Sequence, residues 1–156
     1  MTIREAVVED VPAIFSLIQG LAEYELAPES VMCNEERLRE SLFSPKPDAE
    51  VLLACDNGAT LGFAVFFHNY STWWGRRGIY LEDLFVRQEA RGRGIGTALL
   101  KALARIARDR DCARLEWAVL DWNKPAIGFY KSLGAFPLDE WTTFRLDRAE
   151  IEKLAE

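Results

Sequence analysis

Apolar and polar positions alternate along the chain in two periods, and each period marks a kind of element. Thr2–Glu5 reads as a short strand. From about Asp10 to Glu25, Val11, Ile14, Leu17, Ile18 and Leu21 recur at helical spacing, with Pro12 in a first turn that tolerates it. Asn34 followed by Glu35 and Glu36 predicts an N-cap and a helix to about Leu42, after which Pro45 and Pro47 break the chain. Val51–Cys55 and Leu61–Phe67 are strand-like, and Asp56-Asn57-Gly58 between them has the chemistry of a tight hairpin. A polar loop from Asn69 to Gly78, containing Trp73-Trp74-Gly75, leads to a strand at Ile79–Val86. Ile95, Leu99, Leu103 and Ile106 then line one helix face. Arg114–Leu120 returns to strand, Pro125–Leu133 is a shorter helix closed by Gly134, and Thr142–Leu146 is a last strand. Asp147-x-x-Glu150 predicts a terminal helix opened by a capping box.

Strands interleaved with helices over 156 residues, without repeat or low-complexity tract, predict one mixed α/β domain spanning 1–156. The longest apolar segment, Leu61–Phe67, is about strand length, so no membrane span is expected. Glu5, Glu9 and Asp10 stand where a secretory signal would need a basic start and an apolar run. Cys33, Cys55 and Cys112 are widely separated, include no CxxC pair, and are accompanied by a single histidine, His68. Reduced thiols in a cytoplasm are expected, with the cysteines as small core residues, His68 structural, and no metal site.

Charge narrows the picture through its distribution. The net charge of −6 disfavours non-specific binding to nucleic acid. Residues 1–60 carry −8, residues 61–120 carry +4 and residues 121–156 carry −2. The basic excess lies between Arg87 and Arg114, around Arg91-Gly92-Arg93-Gly94-Ile95-Gly96, which follows a strand and enters a helix. Glycines let the backbone approach a ligand closely, and the first amides of a helix lack internal partners, so the hexapeptide has the makings of an anion cradle. The Lys-Ser/Thr ending of a P-loop is absent, and the third glycine comes too early for a dinucleotide-binding GxGxxG. A plain tight loop is the competing reading of these six residues.

Arg91-x-x-Gly94-x-Gly96 after a strand resembles the acyl-CoA pyrophosphate loop of the GNAT N-acetyltransferase superfamily. The likeness continues upstream through Tyr80-Leu81-Glu82-Asp83-Leu84-Phe85-Val86 and downstream from Trp122-Asn123-Lys124-Pro125 through Phe129-Tyr130-Lys131 to Gly134-Ala135. With Leu21-Ala22-Glu23-Tyr24-Glu25, it runs through nearly the whole chain and is closest to the diamine (spermidine/spermine) acetyltransferase branch. The resemblance implies a central, mostly antiparallel mixed sheet of six to seven strands, splayed between its two central strands and flanked by helices. It implies acetyl-CoA as co-substrate, with the backbone of Leu84, Phe85 and Val86 holding the pantetheine arm like an added strand. Arg91, Gly92, Arg93, Gly94, Ile95, Gly96 and Thr97 would receive the pyrophosphate, and Asn123, Ala126 and Phe129 would line the acyl-CoA channel. Ala126 stands where the family expects a small hydroxyl residue, which removes one hydrogen bond. A homodimer is also implied.

The chemistry sets requirements of its own. An amine with a pKa near 10.4 is only about one part in a thousand neutral at pH 7.4, and only that form attacks a thioester. A carboxylate beside it attracts the cation and accepts the proton, directly or through water. Glu82, a charge inside an otherwise apolar strand, is the expected base. By resemblance Tyr130 is the general acid that meets the departing sulfur. Extending the same resemblance, Tyr24, Glu25, Glu82 and Glu116 are the expected amine-binding residues, with cation–π contacts open to Trp73, Trp74 and Trp122. Two acids along one cleft suit a diamine, polyamine or lysine-like amine. A protein or peptide amine as acceptor, or an acyl-CoA-binding sensor without turnover, are the alternatives.

Overall fold

The computed structural model describes all residues from Met1 to Glu156. The chain divides into two compact units, Met1–Ala118 and Val119–Glu156.

The first unit is built on one sheet. Its strands are β1 (Thr2–Glu5), β2 (Glu50–Asp56), β3 (Ala59–Ser71), β4 (Arg76–Val86) and β5 (Leu115–Glu116). They lie in sequence order, all neighbours antiparallel except β4 and β5, which are parallel. The sheet therefore has five strands rather than six to seven. Two expected strands account for the difference in content. Arg114–Leu120 yields only Leu115–Glu116, and Thr142–Leu146 forms no strand. An alternating pattern becomes a strand only where a neighbouring edge accepts its hydrogen bonds, and no strand pairs with 142–146. The expected parting of the two central strands does not occur among β1 to β4, which pair side by side, and the sheet ends with β4 and β5. Their pairing covers Ile79 with Leu115 and Tyr80 with Glu116, and then ends.

The polar stretch Asn69–Gly78 is mostly strand, contrary to the expected loop. Asn69 pairs with Gly78, Tyr70 with Arg77 and Ser71 with Arg76, leaving only Thr72–Gly75 as the turn. Ladder hydrogen bonds continue through polar residues because they belong to the backbone. At the other hairpin Asn57 and Gly58 take φ of 50° and 80°, as a tight turn matching the strand twist requires.

Three helices cover the sheet. In α1 (Val11–Tyr24), Val11, Ile14 and Leu17 are buried, and with Leu38 of α2 (Glu35–Leu42) they join Val51, Leu53, Phe63 and Phe85 in one core cluster. The Asn34 side chain caps α2 by accepting the Arg37 amide at 2.8 Å. The long helix α3 (Ile95–Asp109) packs on the sheet through buried Ile95, Leu99, Leu100 and Leu103. Near its end Arg110 grips Glu50 with both terminal nitrogens, at 2.7 and 2.8 Å. Arg110 also meets His68 Nε2 at 2.9 Å, while His68 Nδ1 donates to the Gly78 carbonyl at 2.9 Å. His68 thus has a structural role. The three cysteines are free thiols, each half-buried.

The second unit holds α4 (Lys124–Ser132) and α5 (Arg148–Leu154). Asn123 caps α4 by accepting from the Ala126 amide at 3.4 Å, and Gly134 leaves it with φ of 91°. At α5 the expected capping box does not close. Asp147 makes no side-chain cap hydrogen bond, and Glu150 pairs instead with Lys153 at 3.1 Å.

One residue in β4 has no partner in β3. Val65 pairs with Asp83 and the next residue, Phe66, with Leu81, so Glu82 is the extra residue of a β-bulge. The bulge reverses the side-chain alternation of β4. Before it, Ile79 and Leu81 share a face with His68 and Phe66; after it, Asp83 and Phe85 share the opposite face with Val65 and Phe63.

Two glycines give opposite expectations on substitution. A Cβ on Gly62 would lie 2.7 Å from the Phe85 carbonyl oxygen, a backbone atom that cannot swing aside. Gly62→Ala is expected to lose about 1–3 kcal/mol in urea unfolding. Gly128, inside α4 with nothing near its built Cβ, should gain about 0.5–1 kcal/mol as Ala in the same measurement.

Candidate active site

The glycine-rich hexapeptide forms a bare cradle of amides. Gly92 and Gly94 adopt φ of 78° and 74°, a region that side chains disfavour, and Gly94 is the N-cap of α3. No side chain caps the helix there, and no hydrogen bond within the chain uses the amides of Gly92, Arg93, Gly94, Ile95, Gly96 or Thr97. A Cβ built on any of the three glycines meets nothing within 4 Å. The turn therefore presents a row of donors, reinforced by the positive end of the helix dipole, which suits an anion. Its two arginines face elsewhere. Arg93 bonds Asp56 at 2.7 Å, and Asp56 also holds the N-terminal ammonium at 3.1 Å. Arg91 donates from Nε to the Val86 carbonyl at 3.1 Å and lies 4.6 Å over the Tyr24 ring.

Beside the cradle runs the edge of β4 that faces away from β3. Arg87 donates its amide to the Leu61 carbonyl at 2.8 Å, so by antiparallel alternation the polar backbone groups of Phe85 point into the ladder. The close approach of the Phe85 carbonyl to Gly62 agrees. Those of Leu84 and Val86 point to the opposite edge, which no strand pairs beyond Tyr80. Of the three residues expected to grip an extended ligand arm, Leu84 offers its backbone groups and Val86 its amide, the Val86 carbonyl already accepting from Arg91, while Phe85 contributes a buried ring to the core.

Four carboxylates and a phenol form a row in the first unit. Glu116 of β5 is in register with Tyr80 of β4, whose hydroxyl is pushed up by burial and by the charges of Glu82 and Glu116. Burial pushes the Asp83 carboxyl up to about 6, with further contributions from the charges of Glu82 and Glu25. Burial also raises the Glu25 carboxyl, at the C-terminal end of α1. No lysine or arginine forms an ion pair with Glu25, Glu82 or Asp83. No three of these carboxylates converge closely enough to share a metal ion. Unbalanced carboxylates, two of them desolvated, make a site that gains by receiving a cation.

Glu82 thus neighbours Asp83 together with Glu25, and Tyr80 together with Glu116. Tyr24, the neighbouring expectation, lies under the guanidinium of Arg91. Trp73 and Trp74 sit at the exposed tip of the β3–β4 hairpin. Asn123, Ala126, Phe129 and Tyr130 lie in the second unit, at the start and along the body of α4. Asn123 is buried, and the Phe129 and Tyr130 rings pack with centroids 5.6 Å apart. Asp83 is a site residue that the sequence pattern does not single out. Strict alternation would place it with Leu81 on the far side of the sheet from Tyr80, and only the bulge turns it to this face. A second consecutive acid in an apolar strand is the one signal the sequence offers.

Comparison with known proteins places the chain in a family. Residues 17–135 match the Acetyltransferase (GNAT) family. Thialysine N-ε-acetyltransferase of Bos taurus is 42% identical, with 98% of this chain and 96% of that protein covered. Spermidine/spermine N(1)-acetyltransferase-like protein 1 of Homo sapiens is 34% identical over 98% of this chain and 23% of that longer protein. Among solved structures, an integron cassette protein from the mobile metagenome of V. cholerae superposes with a TM-score of 0.83 at 30% identity, covering 99% of this chain and 97% of its own.

The raised Asp83 pKa has a consequence for stability. Asp83 binds its proton more tightly folded, at about 6, than unfolded, near 3.8. The folded state is therefore favoured by this group below pH 4, loses that advantage between pH 4 and 6, and bears the full penalty of a buried charge above it. Asp83→Asn is expected to raise stability at pH 7.5 by about 1–3 kcal/mol, with the gain fading toward pH 4, in urea titrations at both values.

Proposed function

The chain belongs to the GNAT acetyltransferase family and is an N-acetyltransferase, and on that premise we propose that it moves an acetyl group from acetyl-CoA to a small primary amine. The acceptor class is a diamine, a polyamine or a lysine-like amine. The carrying observation is the row of Glu25, Glu82, Asp83 and Glu116, which lacks cationic partners along most of its length. The relatives' names point the same way, toward amines that carry a second charged group.

The bare amides of Gly92–Thr97 fit a diphosphate, because main-chain donors converge there and no side chain fills the space. The outward backbone groups of Leu84 and the amide of Val86 would hold the pantetheine arm, and Asn123, Ala126 and Phe129 would line its channel. The acid row draws in the ammonium form of the acceptor, and Glu82 takes its proton, directly or through water. The neutral nitrogen then forms the new bond to the acetyl carbon as the bond from that carbon to sulfur breaks. Tyr130 gives its proton to the sulfur as it departs, and the second proton that the nitrogen sheds on becoming an amide restores the phenol. Transfer from a phenol near 10 to a free thiolate near 8.5 is uphill by about 2 kcal/mol, so donation accompanies bond breaking, while the sulfur is more basic. No nucleophilic side chain is needed, since binding supplies proximity.

A second assignment of the base is favoured by Asp83. A carboxyl pushed up to about 6 is the better proton acceptor near neutral pH, with Glu82 then holding the cation. We further propose a homodimer, supported by the exposed Phe136, Trp141 and Phe144 of the second unit, and a cytoplasmic location, supported by three free thiols. No helix is long and apolar enough to cross a membrane.

A thiol-release assay over a panel of diamines, polyamines, lysine analogues, aminoglycosides and peptides tests the reading. Tyr130→Phe should lower kcat by about 10²–10⁴-fold with little change in the KM for acetyl-CoA. Glu82→Gln and Asp83→Asn should each lower kcat/KM for the amine, and the base is the one whose loss removes the acidic limb of the pH–rate profile. Peptide acetylation without turnover of any free amine would favour a protein acceptor, and absence of thiol release with every acceptor would favour a sensor. Light scattering should show twice the 17.8 kDa monomer mass.

A further inference from the structure

At the β5 end of the acid row, one basic residue joins the carboxylates. By register Asn69, Gly78 and Tyr80 lie on the same face of the sheet as Asp83, and Glu116 and Arg114 follow from the parallel pairing of Tyr80 with Glu116. Arg114 Nε stands 3.0 Å from Glu116 Oε1, and Asn69 Nδ2 donates to that same oxygen at 3.3 Å. Both contacts converge on Oε1 and leave Oε2 without one. The guanidinium's other contact is a long one, 3.5 Å from Nη2 to the Tyr70 carbonyl. Arg114 and Glu116 keep 43% and 28% of their side-chain surface exposed, so both remain open to a small molecule.

The local backbone is shaped around this arrangement. A Cβ on Gly78 would come within 2.5 Å of Asn69 Oδ1 and 3.4 Å of Arg114 Cγ, so glycine lets both side chains lie across the strand. Asn69 Oδ1 is buried and has no hydrogen-bond partner. The amide is thus turned to donate to Glu116 at the cost of an orphan acceptor, which is unfavourable for a purely structural contact.

Resting on the transferase reading above, we propose that Arg114 and Glu116 form a subsite for the zwitterionic head of an α-amino acid. Glu116 Oε2 receives the α-ammonium, the free guanidinium N–H groups receive the α-carboxylate, and Asn69 is the positioning residue that steadies Glu116. Glu116 is in register with Tyr80, which shares its face of the sheet with Asp83, so the subsite is continuous with the reactive end. Two residues of β4 separate Tyr80 from Asp83, one of them the extra residue of the bulge, so the span matches that from Phe67 to Val65, about 7 Å of strand, within reach of a basic amino acid whose side-chain amine lies toward Glu82 and Asp83. A diamine of equal length would bring its second cation against Arg114 and lose the carboxylate contact. The acceptor class is therefore a basic amino acid rather than a simple polyamine.

The test compares L-lysine with cadaverine, its decarboxylated analogue, by thiol release and by calorimetric titration in the presence of CoA. Wild type should show the lower KM and the tighter binding with L-lysine. Arg114→Gln should shrink the ratio of the two KM values by about 10- to 100-fold, and Arg114→Lys should restore part of it. Gly78→Ala, by displacing Asn69, should reduce the same ratio. A wild-type preference for cadaverine, or an unchanged ratio in Arg114→Gln, would overturn the subsite. Because the titration needs no turnover, it decides the subsite even if no amine is acetylated, an outcome that would count against the transferase reading instead. Thermal unfolding of each variant separates loss of the subsite from loss of the fold.

Discussion

The pairing of β3 with β4 accommodates one residue more on β4, and the consequences reach both faces of the sheet. Ile79 and Leu81 remain with Phe66 in the hydrophobic interior, so the strand is anchored before the extra residue is reached. After Glu82 the alternation is reversed, and Phe85 turns toward the ring of core residues around α1, where Gly20 leaves space for it. Asp83 makes the same turn and is carried into a desolvated position beside Glu25 and Glu82. A bulge disturbs a ladder locally, and here that disturbance lets one strand serve the core and the site together.

Carboxylates elsewhere in the chain show how unusual this row is. Asp10 is held below the ordinary range by its hydrogen bonds from Arg4, with a further backbone bond, and Glu50 by the double grip of Arg110. Asp56 is lowered by Arg93 and by the N-terminal ammonium. Each has a cation supplied by the fold. Glu25 and Asp83 move in the opposite direction because burial removes water and no arginine or lysine replaces it. The site is thus incomplete electrostatically, and an incoming ammonium supplies the missing charge.

The anion cradle rests on a different economy of parts. Its donors are main-chain amides, present whatever the side chains, so the turn needs only the left-handed conformations of Gly92 and Gly94 and an unobstructed approach. The arginines that make the segment basic in sequence serve the surrounding architecture, Arg93 tying the turn to the β2–β3 hairpin and Arg91 closing over Tyr24 and the end of β4.

Much of this is legible in the order of residues alone. Helical spacing locates α1 and α3, the Asn34 cap with its following acids locates α2, the Asn57-Gly58 turn places the β2–β3 hairpin, and glycines after a strand mark the cradle, because these signals are local and each residue's preference decides its own conformation. Glu82 and Glu116 stand out as charges within strands, and Glu25 is reached only through the family resemblance. What tertiary structure alone decided depends on partners distant in the chain. Thr142–Leu146 has the alternation of a strand but pairs with none, the Asn69–Gly78 stretch became ladder because β3 and β4 lie side by side, and Asp83 entered the site through a register shift against Val65 and Phe66. Hydrogen-bond pairing, register and desolvation are relations between segments, and no residue carries them by itself.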